Sequence, residues 1–290
     1  MKDGPSVLVT GASSGIGLAT ARILDQADFR VFAGVRKLTQ PSESHAWHEV
    51  VLDVTSAESI SAARSAVESQ LGEGGLFAIV NNAGVGDASP LEFTPLDQFR
   101  AVFEVNVFGV VAVTKAFLPL LHESRGRILL IGSVGGMVTI PFGSALCASK
   151  HAIESIADAL RLELGESGIR VTCIQPASIN SGSAEKLAVQ MEKTIDNLPP
   201  DGRDRYFARM RHFMKVALAS ETGGSSPDVV GLAVLKVLRA KIPPTRKLVG
   251  KHAHLLRFIA RWLPDALRDR LFRHLFLRVP YSTQVHRPVQ

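Results

Sequence analysis

Short apolar runs rich in Val, Ile, Leu and Phe alternate along this chain with longer segments whose apolar residues recur at helical spacing. Strands that are apolar throughout are typical of a parallel sheet that is covered on both faces, and helices between the strands make the connections. Because such connections are right-handed, a doubly wound sheet is the simplest topology. The pattern therefore predicts an α/β fold, a single doubly wound Rossmann-type parallel sheet with helices on both faces.

The apolar runs define seven predicted strands, and the helical pattern defines five predicted helices. The strands are Ser6–Thr10, Arg30–Val35, Glu49–Leu52, Phe77–Asn81, Arg127–Ile131, Arg170–Ile174 and Lys247–Val249. The helices are Gly15–Asp25, Ser56–Leu71, Leu96–His122, Ser144–Leu164 and Pro227–Ala240. The stretch 177–226 is the one long segment that we predict to be irregular. Because it follows a strand end, where open α/β sheets bind ligands, we expect a lid over a ligand site.

The net charge of +6 belongs to the end of the chain. From Thr245 onward there are ten Lys or Arg and two Asp, whereas residues 1–244 carry 23 basic and 25 acidic side chains. Between residues 252 and 277 the arginines alternate with apolar residues, and Pro264-Asp265 separates two helical patterns. We therefore expect one domain over residues 1–250 and a basic amphipathic C-terminal extension over residues 251–290.

This extension has three possible roles: it lies on an anionic membrane surface, it covers the mouth of the ligand site, or it packs on the body or on a partner subunit. The sequence leaves these open. No nucleic-acid motif accompanies the basic residues, so we expect no nucleic-acid partner.

Two cysteines, Cys147 and Cys173, lie far apart and outside any C-x-x-C motif or Cys/His cluster. This pattern predicts reduced thiols and no metal site.

The first predicted strand begins at Ser6, which leaves no room for a signal peptide. The longest uncharged stretch, 128–149, is long enough to span a bilayer but is interrupted by glycines and a proline. We expect a cytoplasmic protein, with any membrane contact peripheral and made by the extension.

A glycine-rich turn, Thr10-Gly-Ala-Ser-Ser-Gly-Ile-Gly17, connects the first predicted strand to the first helix. Glycines allow a tight turn and let backbone amides approach a pyrophosphate, which the amino terminus of the following helix stabilises. An ordinary strand-to-helix turn is the alternative. The position within a βαβ pattern favours a dinucleotide site.

The spacing T-G-x-x-x-G-x-G is followed by Asn81-Asn82-Ala83-Gly84 and then, in order, by Asn106, Ser133, Lys150 and Pro176. Over about residues 5–250 this combination resembles the short-chain dehydrogenase/reductase family. The runs Leu118-Pro-Leu-Leu and Ala148-Ser-Lys-His-Ala-Ile-Glu are most similar to its hydroxysteroid and retinol dehydrogenase-like branch, which acts on lipophilic alcohols and ketones. The resemblance implies an NAD(P)-dependent oxidoreductase with a small lipophilic substrate.

The resemblance also implies the roles of individual residues. The cofactor-binding residues would be Gly11, Ser13, Ser14, Gly15, Ile16 and Gly17 at the pyrophosphate, Asp53 and Val54 at the adenine, Asn82, Ala83 and Gly84 beside the adenosine ribose, and Lys150, Pro176, Ile179 and Ser181 beside the nicotinamide. Ala177 departs from the glycine that usually follows the proline, and Ser181 would replace a threonine.

Arg36 follows the second predicted strand, at the place where selectivity for the ribose phosphate is set. A carboxylate at this place accepts the 2′-hydroxyl of NAD, whereas a guanidinium pairs with a 2′-phosphate. Arg36 and Lys37 therefore favour NADP(H), with NAD(H) still possible and a solvated basic pair as the alternative.

The implied catalytic residues are Ser133, which orients the substrate oxygen, Asn106, which holds a water relay, and Lys150, which bonds the nicotinamide ribose. The family's proton-transferring tyrosine lies four residues before the lysine, and that position holds Leu146. Leucine has no proton to transfer, and positioned proton transfer contributes about 10²–10⁴-fold in rate. Each of the other three residues alone could be structural, but their joint spacing favours the functional interpretation.

Three explanations of Leu146 remain open. The first is an engineered or natural substitution in an otherwise intact oxidoreductase, and it is favoured because the surrounding motif is kept. The second is non-redox chemistry, such as cyclisation, isomerisation or elimination, on a nicotinamide-binding fold, and the third is a binding protein without activity. As replacements for the phenol, Tyr206 is expected to lie on an amphipathic helix and His151 to be a core histidine.

Family members commonly dimerise through the two long helices, here Leu96–His122 and Ser144–Leu164. The resemblance therefore implies a homodimer, with a tetramer left open.

Overall fold

The computed structural model describes residues 4–38, 47–72, 74–182 and 184–278. The last part of the C-terminal extension, residues 279–290, lies outside the described residues.

Seven strands form one sheet in which every neighbouring pair is parallel, in the order β3-β2-β1-β4-β5-β6-β7. The strands are β1 (Ser6–Thr10), β2 (Arg30–Val35), β3 (His48–Val51), β4 (Ala78–Asn81), β5 (Arg127–Ile131), β6 (Arg170–Pro176) and β7 (Arg246–Val249). The predicted doubly wound α/β fold is confirmed. The strand order reverses between β1 and β4, and ligands bind in such sheets at the carboxyl ends beside this reversal.

Ten α-helices connect or follow the strands within the described part of the chain. They are α1 (Gly15–Gln26), α2 (Ala57–Glu68), α3 (Leu96–Phe103), α4 (Gly109–Ser124), α5 (Ser144–Leu164), α6 (Ala184–Asp196), α7 (Pro200–Thr222), α8 (Asp228–Arg239), α9 (Ala253–Trp262) and α10 (Asp265–Leu277).

Both faces of the sheet are buried in apolar clusters, which explains why its strands are apolar throughout. In β1, Leu8 points into the cluster that includes Phe117 of α4, whereas Val7 and Val9 point into the cluster that includes Val234 of α8. All three side chains have no exposed area. This two-sided burial fixes the strand positions and hence the edge at which their carboxyl ends meet.

A continuous helical run, Leu96–Ser124, consists of α3, one π-helical turn and α4. By length and composition it could cross a membrane, which is weak evidence because core helices pass the same test. Val113, Phe117 and Leu121 are fully buried in the core beneath the sheet. We therefore assign the run to the protein core.

The segment 177–226 differs from the prediction of an irregular stretch, because most of it forms α6 and α7. These helices pack on each other and enclose a third apolar cluster, with Met191, Met210 and Phe213 at its centre. Phe142, which precedes α5, also joins this cluster and so connects it to the main body. The prediction was wrong because these helices contain many charged residues and only a narrow apolar face, which makes the helical spacing of their apolar residues weak in the sequence.

The C-terminal extension forms α9 and α10, which agrees with the two helical patterns around Pro264. Phe272 of α10 is buried, and Phe276 packs against Phe213 of α7 with ring centroids 5.8 Å apart. Packing on the protein body, one of the open roles, thus applies to α10.

Candidate active site

The glycine-rich turn after β1 has a backbone that only glycine adopts readily. Gly11 and Gly15 have φ of +65° and +54°, in the left-handed region. A Cβ atom at Gly17 would overlap the Gly11 carbonyl oxygen and lie 2.5 Å from the Asn82 amide nitrogen. The turn is therefore a cradle of bare backbone that side chains at these positions would fill.

The amino terminus of α1 opens into this turn. Within the described residues, Ser14 makes no side-chain capping hydrogen bond there, and the first turn of the helix contains no acidic residue. The free N–H groups and the positive end of the helix dipole therefore favour an anion. Ser13 and Ser14 are exposed at this end, while Ile16 is half-buried.

Asn82, at the end of β4, ties the strand to the glycine-rich turn. Its Nδ2 donates to the Thr10 and Gly11 carbonyl oxygens at 2.9 and 3.2 Å. In return, Thr10 Oγ1 accepts from the backbone N–H groups of Asn82 and Ala83, each at 2.9 Å. This exchange holds the Asn82-Ala83 backbone beside the turn.

Arg36 and Asp53 follow the carboxyl ends of β2 and β3. Asp53 Oδ1 accepts from the Thr55 backbone N–H at 2.9 Å and from its hydroxyl at 2.7 Å, and these bonds lower the pKa of the Asp53 carboxyl. Arg36 is exposed, and its positive charge lowers this pKa further. Val54 is buried and packs against Gly109.

Asn106 lies in the π-helical turn between α3 and α4, within the predicted helix Leu96–His122. Its Oδ1 accepts from the Val85 N–H at 2.8 Å, and its Nδ2 donates to the Val85 carbonyl at 3.0 Å and to Ser149 Oγ at 3.0 Å. A Cβ atom at Gly84 would lie 3.2 Å from Asn106 Oδ1 and 3.8 Å from Lys150 Nζ. Asn106, Gly84 and Lys150 are thus brought together.

Lys150 lies on α5, and its Nζ donates to the Ile131 carbonyl at the end of β5 over 2.9 Å. Burial lowers the pKa of this ammonium to about 8, although Cys173 and Glu154 oppose the shift. The Lys150 side chain as a whole is half-buried. At pH 7 this amine is still mostly protonated, so it keeps a positive charge at the site.

Ser133 follows β5 and begins a short 3₁₀ turn, Val134–Gly136. Its Oγ accepts from the Gly135 N–H at 3.0 Å and lies 3.5 Å from the Pro176 carbonyl at the end of β6. The hydroxyl therefore stands between the carboxyl ends of two neighbouring strands.

Leu146 is half-buried on α5, one helical turn before Lys150. The next residue, Cys147, is buried, and burial raises the pKa of its thiol, which keeps it neutral. His151 is exposed, with Nδ1 2.9 Å from the Cys147 carbonyl, so the prediction of a core histidine was wrong. Tyr206 lies on α7, and its hydroxyl donates to Glu92 at 2.8 Å.

The residues after Pro176 return to the glycine-rich turn. Ile179 is buried against Gly250, and Ser181 donates to Glu221 at 3.4 Å. A Cβ atom at Gly15 would lie 3.1 Å from the Ser181 carbonyl oxygen. Ser181 is therefore brought to the glycine-rich turn in this structure.

Comparisons with known proteins agree with this geometry. Residues 5–192 match the family model for short chain dehydrogenases. The chain belongs to the short-chain dehydrogenase/reductase family. It is 34% identical to estradiol 17-beta-dehydrogenase 2 of Mus musculus over 96% of this chain and 76% of that protein, and 34% identical to retinol dehydrogenase 5 of Homo sapiens over 91% and 86%.

A solved short-chain dehydrogenase from Burkholderia cenocepacia, in complex with NADP, is similar with a TM-score of 0.68 and 25% identity, over 93% of this chain and 98% of that one. By family, this short-chain dehydrogenase/reductase is thus an NAD(P)-dependent oxidoreductase.

The residues present in this family member fit a nicotinamide dinucleotide. The glycine cradle admits backbone contacts with a pyrophosphate, and the uncapped amino terminus of α1 supplies N–H donors to it. The cofactor's chemistry is hydride transfer at its nicotinamide ring.

Some residues of the site escaped the sequence analysis. Thr10 was seen only as part of the turn, although its hydroxyl accepts two backbone hydrogen bonds. Glu154 was also missed: one turn after Lys150, its carboxylate accepts from Cys173 Sγ at 3.0 Å, from Gln175 Nε2 at 2.9 Å and from Arg246 Nε at 2.8 Å. The spacing of four from Lys150 was the available signal, whereas the partners on β6 and β7 depend on the fold.

Proposed function

We propose that this protein is an NADP(H)-dependent oxidoreductase of lipophilic alcohol or carbonyl compounds, in a form impaired by Leu146. One observation carries the proposal: Lys150 Nζ bonds the Ile131 carbonyl, two residues before Ser133, and lies beside Gly84 and Asn106. Three of the family's four catalytic positions thus meet at the carboxyl ends of β4 and β5, and the fourth holds Leu146. A site that had lost its function would have no reason to keep the other three.

The reduction of a ketone adds a hydride to the carbonyl carbon and a proton to the oxygen. Ser133 would orient that oxygen, and Lys150 would hold the cofactor ribose and supply a nearby positive charge. With Leu146 in place, the proton comes from water without a positioned donor. We therefore expect a basal rate about 10²–10⁴-fold below that of a tyrosine-containing site.

Arg36 supports NADP(H) as the cofactor. It is exposed at the end of β2, with its charge directed to the region of Asp53, which the family resemblance assigns to the adenine. A guanidinium there suits the 2′-phosphate because it makes charge-assisted hydrogen bonds to it.

The third apolar cluster supports a lipophilic substrate. We propose that α6 and α7 form the lid over the substrate, since Phe142 links their cluster to the residues just before α5. The relatives' names specify estradiol and retinol, both of which are lipophilic alcohols.

Leu146→Tyr tests the proposal. We expect the variant to gain ketone-dependent NADPH oxidation by about 10²–10⁴-fold, because the phenol supplies the proton. Loss of absorbance at 340 nm, matched by product alcohol on a panel of steroid, retinoid and long-chain ketones, measures it. Leu146→Phe is the matched control, since it adds the ring without the hydroxyl.

The gain should disappear in the double variant Leu146→Tyr/Lys150→Met. If Leu146→Tyr binds NADPH and reduces no member of the panel, the proposal is wrong. Leu146 itself then favours the second candidate, non-redox chemistry or binding alone on a nicotinamide-binding fold. Product formation without a change in absorbance at 340 nm would identify the non-redox form.

Arg36→Asp tests the cofactor preference. We expect the Kd for NADPH to rise by about tenfold or more and the Kd for NADH to stay level or fall, because a carboxylate repels the 2′-phosphate. Fluorescence titration measures both, with Lys37→Asp as the neighbouring control. An equal loss for both cofactors would count against a role in selectivity.

We further propose a cytoplasmic homodimer that forms through the Leu96–Ser124 run and α5. The exposed side chains of Phe108 and Leu162 on these helices support the dimer. The free buried cysteines, Cys147 and Cys173, support a reducing compartment. Sedimentation velocity of the full chain measures the oligomeric state.

A further inference from the structure

Helix α9 carries an apolar stripe that faces solvent. Leu255, Phe258 and Trp262, spaced three and four residues apart, lie on one side of the helix and are 56, 60 and 67% exposed. Only Ala253 of this helix is buried. Leu256 and Ile259 are half-buried, so α9 packs on the body with one apolar face and leaves a second one in solvent, as is typical of a binding surface.

Two arginines border the stripe. Arg257 and Arg261 each precede a stripe residue, are exposed, and lie one helical turn apart. The Arg261 guanidinium lies 5.7 Å from the centre of the Trp262 ring. Between residues 251 and 278 there are seven Lys or Arg and two Asp, so the surroundings of the stripe are strongly basic.

The helix that carries the stripe lies beside the candidate active site. Helix α9 packs against β7 and against the turn Val134–Gly136 that follows Ser133. Helix α10 adds two exposed leucines, Leu267 and Leu275, while its buried Phe272 fixes it to the body. The exposed apolar residues are therefore held on a fixed scaffold.

We propose that this α9 face, Leu255–Trp262 with its arginines, is the docking surface for an anionic phospholipid bilayer. Aromatic and leucine side chains with flanking arginines suit the boundary between headgroups and acyl chains, because the rings enter the apolar layer and the guanidinium groups stay with the phosphates. A second copy of the chain is the less suitable partner, because an isologous contact would bring two basic surfaces together.

Vesicle sedimentation tests the proposal with the full chain. We expect binding to phosphatidylserine-containing vesicles, and weaker binding to pure phosphatidylcholine vesicles or at high salt. Phe258→Asp/Trp262→Asp should lower the partition coefficient at least about tenfold, because two ring side chains no longer enter the bilayer. The control is Ile242→Asp, which places one Asp on an exposed apolar residue away from α9. Ile242 is 82% exposed and precedes β7, so it lies at the opposite end of that strand from α9.

The arginines are tested separately with Arg257→Gln/Arg261→Gln. Each lost charge should weaken binding to the phosphatidylserine vesicles about fivefold and leave binding to phosphatidylcholine vesicles unchanged. Equal NADPH affinity and equal thermal melting in all variants verify that the fold is intact.

A spectroscopic readout avoids any change in the stripe. The chain has two tryptophans, so Trp47→Phe leaves Trp262 as the only one. We expect its emission to shift to the blue on phosphatidylserine vesicles and to be quenched by brominated acyl chains.

Either of two results would overturn the proposal. The first is that Phe258→Asp/Trp262→Asp binds vesicles as well as Ile242→Asp does, and that the Trp262 emission of Trp47→Phe does not shift on the vesicles. The second is that sedimentation velocity shows a dimer, and that Phe258→Asp/Trp262→Asp breaks this dimer while its vesicle binding stays unchanged. The face would then be an interface between two copies of the chain.

Discussion

At the scale of single residues, Lys150 combines a favourable role with a cost in stability. Its ammonium donates to the Ile131 carbonyl, yet burial lowers its pKa to about 8 from the ordinary 10.5. Because the unfolded chain keeps the ordinary pKa, burying the charged form disfavours folding at pH 7. The penalty is fully present below pH 8 and is relieved as the pH rises toward 10.5, since the folded state releases its proton first.

Lys150→Met should therefore stabilise the protein at pH 7 by on the order of 2 kcal/mol, after the lost hydrogen bond is subtracted. The gain should shrink between about pH 8 and pH 10.5 as the wild-type lysine becomes neutral. Urea unfolding at a series of pH values measures it. Lys37→Met, at an exposed lysine, is the control and should leave the free energy of unfolding unchanged at every pH. A less stable Lys150→Met at pH 7 would mean that the bond to Ile131 outweighs burial.

The sequence predicted the identity and spacing of these residues better than their surroundings. The positions of Ser133, Leu146 and Lys150 follow from the resemblance to the family, whose motif residues the sequence shows directly. In contrast, the bond from Asn106 to Ser149 joins residues 43 positions apart, and Phe142 has a φ of +62°, which is strained for a bulky residue. Both features depend on how distant segments pack on each other, and local sequence patterns do not predict such packing.

At the scale of elements, strands were predicted most accurately because the central ones are buried on both faces. The predicted limits of β1, β2 and β5 match the structure, and those of the other strands differ by one or two residues. Helix α5 also agrees at both ends. These elements carry a strong, uniform apolar pattern, so local information was sufficient.

Helices α6 and α7 were missed for the opposite reason. Helix α7 is rich in arginines, several of which pair with nearby acidic groups, such as Arg211 with Glu192 and Arg205 with Glu92. An amphipathic helix was expected around Tyr206, but the sequence pattern did not define its bounds. The start at Pro200, the first position of α7, was an available signal, since proline is favoured there.

At the scale of the whole molecule, a chain of aromatic contacts connects the C-terminal extension to the active site. Phe276 of α10 packs on Phe213 of α7, which packs on Phe142 with ring centroids 5.4 Å apart. Phe142 lies four residues before Leu146. The extension, which from sequence was only a basic amphipathic segment, is therefore part of the packing of the proposed lid.

We predict that Phe272→Ala/Phe276→Ala loosens α7 and leaves the nucleotide-binding half intact. Truncating these rings removes apolar contacts worth about 2–4 kcal/mol together, because Phe272 is buried and Phe276 is half-buried. Hydrogen exchange should rise at least about tenfold in α7 and stay unchanged in α1, with the NADPH affinity retained. Leu267→Ala/Leu275→Ala, two exposed residues of the same helix, is the matched control. Because α7 is also tied to Glu92 through Tyr206 and Arg205, equal exchange in both variants would show that those polar contacts hold the helix without α10.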